Sequence, residues 1–258
     1  MFPYIDSSHK IPTYGILFLV GIACSLLISS LNSKRSGVKK EDLIYAASFA
    51  LIGGLLGSKI LFLFTSVDLI SKNNIPIVYL IRSGFVFYGG LLGGALGYFI
   101  YGKIYKISVI KLFDNAVVAL PLGQVFGRIG CFSVGCCYGK PTNSFLGVIY
   151  SSPLDPNTPV GIPLLPTQLF EAVYCFLIFI VILIANKQNV KTGCKTLIYI
   201  FSYSLCRFIN EFFRYDSIRG ELGNLSTSQI ISVCLFLFTL TYLVYKRVKR
   251  KPIQFEPF

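Results

Sequence analysis

The chain has 258 residues, 54% of them hydrophobic and only 14% charged, with a mean hydropathy of +0.68. That balance excludes an ordinary soluble globular domain and fits a single polytopic membrane domain over residues 1–258. The net charge of +13 would suggest nucleic acid, but the basic residues sit in short stretches between apolar runs, as membrane orientation requires, so nucleic acid is not an expected partner.

Apolar runs predict an all-α protein with seven transmembrane helices at about 13–31, 43–64, 84–101, 109–127, 166–186, 195–213 and 228–246. Each is near the length that spans about 30 Å of hydrocarbon. Glycine rows in the second and third (Gly53, Gly54, Gly57; Gly89, Gly93, Gly97) predict close helix packing. Fifteen basic residues fall on one side of these helices and seven on the other. The positive-inside rule then sets the N-terminus outside, the C-terminus in the cytoplasm and the 128–165 segment outside.

The fourth run leads into Gly127-Arg128-Ile129-Gly130-Cys131-Phe132-Ser133-Val134-Gly135-Cys136-Cys137-Tyr138-Gly139. Read alone, this is a glycine-rich turn just past the membrane, with Arg128 either snorkelling or holding a phosphate or carboxylate in its planar donor fork. The cysteines lack a CxxC pair and the chain's only histidine, His9, is far away in sequence, so no metal and no cofactor are expected. Cys131, Cys136 and Cys137 are expected to pack the turn.

With this orientation, polar residues converge on the outer leaflet. They are Tyr14 in the first helix, Lys59 in the second, Tyr88-Gly89-Gly90 opening the third and Arg128 closing the fourth. Gln168 and Glu171 open the fifth helix, and Arg207, Glu211 and Arg214 close the sixth, with Glu211 one turn from Arg207. Ionisable groups inside a membrane are costly and mark function. The excess of arginine and lysine implies an anion, and at that depth a phospholipid phosphate. The 128–165 connection carries five prolines, which leaves little room for helix there. A loop of that length points to a cover for the pocket or a seat for a second substrate, rather than a plain surface loop.

In order along the chain, these residues resemble the prolipoprotein diacylglyceryl transferase family. Tyr14-Gly15 with Val20-Gly21 resembles its first helix. Gly127-Arg128-Ile129-Gly130 with Phe132, Gly135 and Gly139 resembles its central run. Pro166-Thr167-Gln168-Leu169-Phe170-Glu171, Tyr203 with Arg207-Phe208 and Glu211-Phe212-Phe213-Arg214, and Ser228-Gln229-Ile230 resemble its later blocks. The resemblance implies a multi-pass enzyme of the bacterial inner membrane. The diacylglyceryl group of phosphatidylglycerol would pass to a lipobox cysteine thiol of a secreted lipoprotein precursor, releasing glycerol phosphate.

On that resemblance Arg128, Arg207, Tyr88 and Glu211 are the expected catalytic residues. Arg128 and Arg207 would hold the phosphate, and Glu211 would orient Arg207. Tyr88 stands where the family carries a histidine often given a general-base role. Tyr14, Lys59, Gly89, Gly90, Gly130, Cys131, Gly135, Gln168, Glu171, Tyr203 and Arg214 are expected to line the substrate pocket. The chain departs from the family at Tyr88, Cys131, Val134, Cys136, Leu165 and Lys59. Those departures keep two alternatives open: the same donor with another acceptor such as a glycan, or a non-catalytic lipid-binding membrane protein.

Orientation is testable with a membrane-impermeant thiol reagent on single-cysteine variants. A cysteine introduced as Lys191→Cys should label only after permeabilisation, and labelling from outside alone would overturn the orientation.

Overall fold

The computed structural model describes residues 3–5, 11–65, 87–215, 221–222 and 225–248, with the side chains of Thr65, Phe87, Tyr88, Glu221, Leu222, Arg247 and Val248 outside the description. Among the described residues there are eight helices: α1 (Thr13–Leu31), α2 (Ser33–Ser36), α3 (Lys40–Thr65), α4 (Phe87–Ile104), α5 (Val109–Val134), α6 (Thr167–Lys187), α7 (Cys194–Glu211) and α8 (Thr227–Val248). Two antiparallel ribbons of two residues a strand join them, β1 (Val148–Ile149) with β2 (Pro163–Leu164), and β3 (Glu221–Leu222) with β4 (Leu225–Ser226).

Five of these, α1, α3, α5, α6 and α8, are long and apolar enough to cross a membrane, which makes this a multi-pass membrane protein. α4 is not among them. α7 falls short because it carries Lys195, Arg207 and Glu211.

The residues fall into two compact units, one of Met1–Ser25 with Val117–Phe258 and the other Leu26–Ala116. In the second unit, α3 and α4 meet along their glycines. A Cβ on Gly93 would strike the Gly53 carbonyl oxygen, and one on Gly57 would strike that of Gly89. Backbones touch there, as small residues allow. Below that contact Val38, Leu43, Ala46, Tyr101 and Leu112 form a buried cluster, and the Tyr101 hydroxyl donates to Asp42 at 2.9 Å. Asn115 is fully buried and satisfied, accepting from Asn32 at 2.7 Å and donating to Ser29.

In the other unit, α1 and α5 run antiparallel. A Cβ on Gly21 would lie 3.1 Å from the Gly123 carbonyl oxygen. Two helical turns further along each helix, Tyr14 meets Gly130, where a Cβ would sit 3.0 Å from the Tyr14 ring. α8 starts with a capping box: Ser226 Oγ accepts from the Gln229 amide at 3.2 Å, and Gln229 Oε1 from the Ser226 amide at 3.0 Å.

One expectation is corrected. The run from Gly127 was read as a turn past the membrane, but α5 continues through Gly127 and Gly130 to Val134. Glycine lowers helix propensity without forbidding helix, and the close approach of Tyr14 uses the missing side chain at Gly130. Arg128 and Cys131 are therefore helical residues, and the turn lies at Gly135 (φ +82°) and Cys137 (φ +62°).

The glycine seam gives a stability test. Gly93→Ala forces overpacking against backbone and should destabilise the protein by about 2 kcal/mol. Gly90→Ala, whose Cβ would meet the Gly54 carbonyl oxygen at 3.6 Å, should change stability by less than about 0.5 kcal/mol. Equilibrium unfolding in detergent measures both.

Candidate functional site

The site is built on the ends of four helices. Tyr203, Arg207 and Glu211 stand four residues apart along α7 and share one face. Gln168 and Glu171 lie in the first turns of α6, Arg128 in the penultimate turn of α5 and Ser228 at the start of α8.

Glu171 is the centre. Its side chain is 2% exposed, and Arg128 Nη2 lies 3.0 Å from Oε1 while Arg207 Nη1 lies 3.3 Å from Oε2. The Tyr203 hydroxyl adds a third donor at 3.0 Å. Arg207 reaches on with Nη2 to Glu211 Oε2 at 2.8 Å and to Ser228 Oγ at 3.1 Å. A buried carboxylate costs several kcal/mol of desolvation, offset only where opposite charges and donors surround it. Here two guanidiniums, Arg128 and Arg207, stand against two carboxylates, Glu171 and Glu211, so the charges of the cluster balance. Among the described residues the buried Tyr174 hydroxyl, its ring 6.1 Å from that of Tyr203, has no hydrogen-bond partner.

The connection after α5 is folded onto α6. Gln168 Nε2 donates to the Cys136 carbonyl at 2.6 Å, Thr167 Oγ1 to the Cys137 carbonyl at 2.9 Å and Thr158 Oγ1 to the Gly135 carbonyl at 2.7 Å. Tyr138, Tyr150 and Leu164 give the connection a small buried core against Phe132, and Gly139 bridges to Arg214 by backbone pairing. Burial pushes the Tyr150 phenol up to about 12, partly countered by its 3.3 Å bond to Gln168. The Cys137 thiol is held well below the ordinary thiol range by hydrogen bonds from Cys131 and Cys136, with the Arg214 and Arg128 cations adding to the effect. The Cys136 thiol, which donates to the Cys131 carbonyl at 3.8 Å, is pushed the other way by the neighbouring Cys131 and Cys137 thiols and by burial.

The structure thus brings Arg128, Glu171, Tyr203, Arg207 and Glu211 into one connected cluster, while Gln168 and Thr158 tie down the turn at Gly135 and Arg214 pairs with Gly139 by its backbone. Tyr14 lies against Gly130, within electrostatic reach of Arg128 and Cys131. Lys59, Gly89 and Gly90 belong to the other unit, where Lys59 Nζ sits 5.2 Å from the centre of the Phe62 ring and Gly89 packs on Gly57. Tyr88 opens α4, and its side chain lies outside the described residues.

Sequence reasoning gave Arg207 to Glu211 and placed Glu171 in the pocket lining. Glu171 in fact bridges both arginines. It also missed Ser228, Thr167 and Thr158 as anchors; the serine opening the last helix was the one available signal.

Glu171→Gln leaves two guanidiniums facing a neutral amide and should destabilise the protein by about 3 kcal/mol. Tyr203→Phe removes one hydrogen bond and should cost about 1 kcal/mol. Unfolding in detergent distinguishes them, and equal effects would refute the central place of Glu171.

Comparison with known proteins adds an independent line. The family model described as prolipoprotein diacylglyceryl transferase matches residues 3–245. A Clostridium perfringens protein named phosphatidylglycerol–prolipoprotein diacylglyceryl transferase 2 is 37% identical over 243 residues, covering 94% of each chain. Proteins named phosphatidylglycerol–prolipoprotein diacylglyceryl transferase from Clostridium tetani and Clostridioides difficile are 37% and 33% identical, covering 90% and 92% of each chain.

Proposed function

This chain belongs to the prolipoprotein diacylglyceryl transferase family, and we propose that it carries out the reaction its relatives are named for. The diacylglyceryl group of phosphatidylglycerol passes to the cysteine thiol of a prolipoprotein. The sulfur forms a bond to the glyceryl carbon, the carbon–oxygen bond to phosphate breaks, and the electron pair leaves on the phosphate oxygen as glycerol phosphate. The thiol proton goes to solvent or a nearby base.

The observation that carries this reading is the Arg128–Glu171–Arg207 cluster. Negative charge grows on the phosphate as the bond breaks, and fixed cations in a water-poor site stabilise it without reorganising. Glu171 keeps the two guanidiniums from repelling each other apart before the donor arrives. Arg128 is the more exposed of the pair, 17% against 11%, and meets the phosphate first. The two guanidiniums and the Tyr174 hydroxyl, which has no hydrogen-bond partner among the described residues, favour a polar anionic ligand. Tyr14, Gly130 and Cys131 line the approach, Gln168 and Gly135 hold the loop, and Arg214 supports the anion from the loop side.

The protein works in the bacterial inner membrane, with the N-terminus outside and the site at the outer leaflet, where secreted precursors arrive. α4 and α7 cross as well, since the Arg207 and Glu211 charges are paired internally and the α4 glycines close on α3.

Purified protein with phosphatidylglycerol and a cysteine-containing prolipoprotein peptide should form the thioether, and a serine peptide should not. Arg128→Lys keeps the charge but loses the planar fork, so turnover should fall about tenfold. Arg128→Ala should lose about 10²-fold or more, as when a transition-state donor is removed. Full transfer by Arg128→Ala would remove that residue from the mechanism.

A further inference from the structure

Cys131, Cys136 and Cys137 bring their three sulfur atoms within 4.8 Å of one another. Sequence spacing gives no reason to expect this. Neighbouring residues of an extended chain point to opposite faces, so Cys136 and Cys137 would diverge. The chain instead leaves α5 at Gly135 in the left-handed region, and Cys137 adopts φ +62°, a conformation uncommon for a residue with a side chain. Both thiols are turned back toward Cys131 in the last turn of the helix. The peptide carbonyls of Gly135, Cys136 and Cys137 are each held by a side-chain donor, from Thr158, Gln168 and Thr167. The loop is therefore shaped by its own hydrogen bonds.

We propose that these three cysteines bind one zinc ion as thiolates and leave its fourth position open to the thiol of the acceptor cysteine. Three sulfurs with no hard oxygen donor select a thiophilic ion over magnesium or calcium. Tetrahedral zinc at about 2.3 Å from each sulfur sets the sulfurs about 3.8 Å apart, so small side-chain rotations complete the site. Three thiolates and Zn²⁺ carry one net negative charge, and the Arg128 and Arg214 cations lie within electrostatic reach of Cys137. All three cysteines are partly exposed, which leaves a path for the ion and a fourth ligand. Three protein ligands with one open position is the pattern of a catalytic rather than a structural zinc.

The open position rests on the transferase reading; the ion site does not. Cys131 lies three residues beyond Arg128 on one helix face, so a sulfur held at the ion is a turn away from the arginine that meets the phosphate. The acceptor thiol gives its proton to solvent on binding. The bound thiolate then forms the sulfur–carbon bond as the carbon–oxygen bond to phosphate breaks, and zinc keeps its oxidation state.

The test uses full-length protein in detergent with reductant, stripped of metal and titrated with Co²⁺. One ion per chain should bind with sulfur-to-cobalt charge-transfer absorption, and Zn²⁺ should displace it. Cys131→Ser, Cys136→Ser and Cys137→Ser should each lower Co²⁺ affinity at least about tenfold, while Cys234→Ser, exposed on α8, leaves it unchanged. Adding a cysteine-containing prolipoprotein peptide should shift the visible cobalt bands, and its serine analogue should not. Absence of the charge-transfer band, or its persistence in the triple serine variant, overturns the ion site. Full-rate transfer by metal-stripped enzyme overturns the role of the fourth position and leaves the transferase reading intact. Intact cobalt bands with no transfer by zinc-loaded enzyme overturn the transferase reading and support the ion site alone.

Discussion

The Glu171 carboxylate is held between two guanidiniums inside an apolar helix bundle, and the rest of the site depends on that arrangement. Two arginines at hydrogen-bond distance from one carboxylate would repel each other without it. In low dielectric that repulsion is large, and neither cation can shed its proton to escape it. Glu171 therefore sets where Arg128 and Arg207 stand, and Tyr203 sets where Glu171 stands. Glu211 and Ser228 take the donors of Arg207 that face away. The result is a network in which two guanidiniums are paired with two carboxylates and fixed in place by their neighbours.

The same network explains why α7 reads poorly as a membrane helix. Its charges lower its apolar character, yet Arg207 and Glu211 are buried and paired within four residues of each other. A hydropathy window counts each charge as though it faced lipid. Pairing removes most of that cost, so a helix rich in function scores lowest where its side chains are best matched.

The connection from α5 to α6 is a second constraint. Its proline content excludes helix, but it is not a slack surface loop. Tyr138, Tyr150 and Leu164 pack against Phe132, and side chains of α6 take up the free carbonyls of Cys136 and Cys137. Thr167 and Gln168 thus tie this turn to the same helix that carries Glu171. Movement of the turn and movement of the charge cluster are coupled through the first turn of one helix.

The sequence by itself determined the class and the main actors. Apolar runs marked the membrane helices because burial in lipid demands about 20 apolar residues, whatever the neighbours are. The Arg207–Glu211 pair was legible because one helical turn separates them, and local geometry alone places them together. That Arg128, Glu171 and Tyr203 belong to one polar group was legible through order along the chain and family resemblance. Their mutual bonding was not, since they lie on three helices and their contact depends on how those helices pack. The end of α5 was misread because glycine signals a turn only when nothing packs against it, and Tyr14 packs against Gly130. The three cysteines lacked a recognisable spacing, and only a left-handed residue at Cys137 turned them toward one another. Local rules reach one helical turn; everything that links Glu171 to its partners lies beyond that range and was decided by tertiary packing.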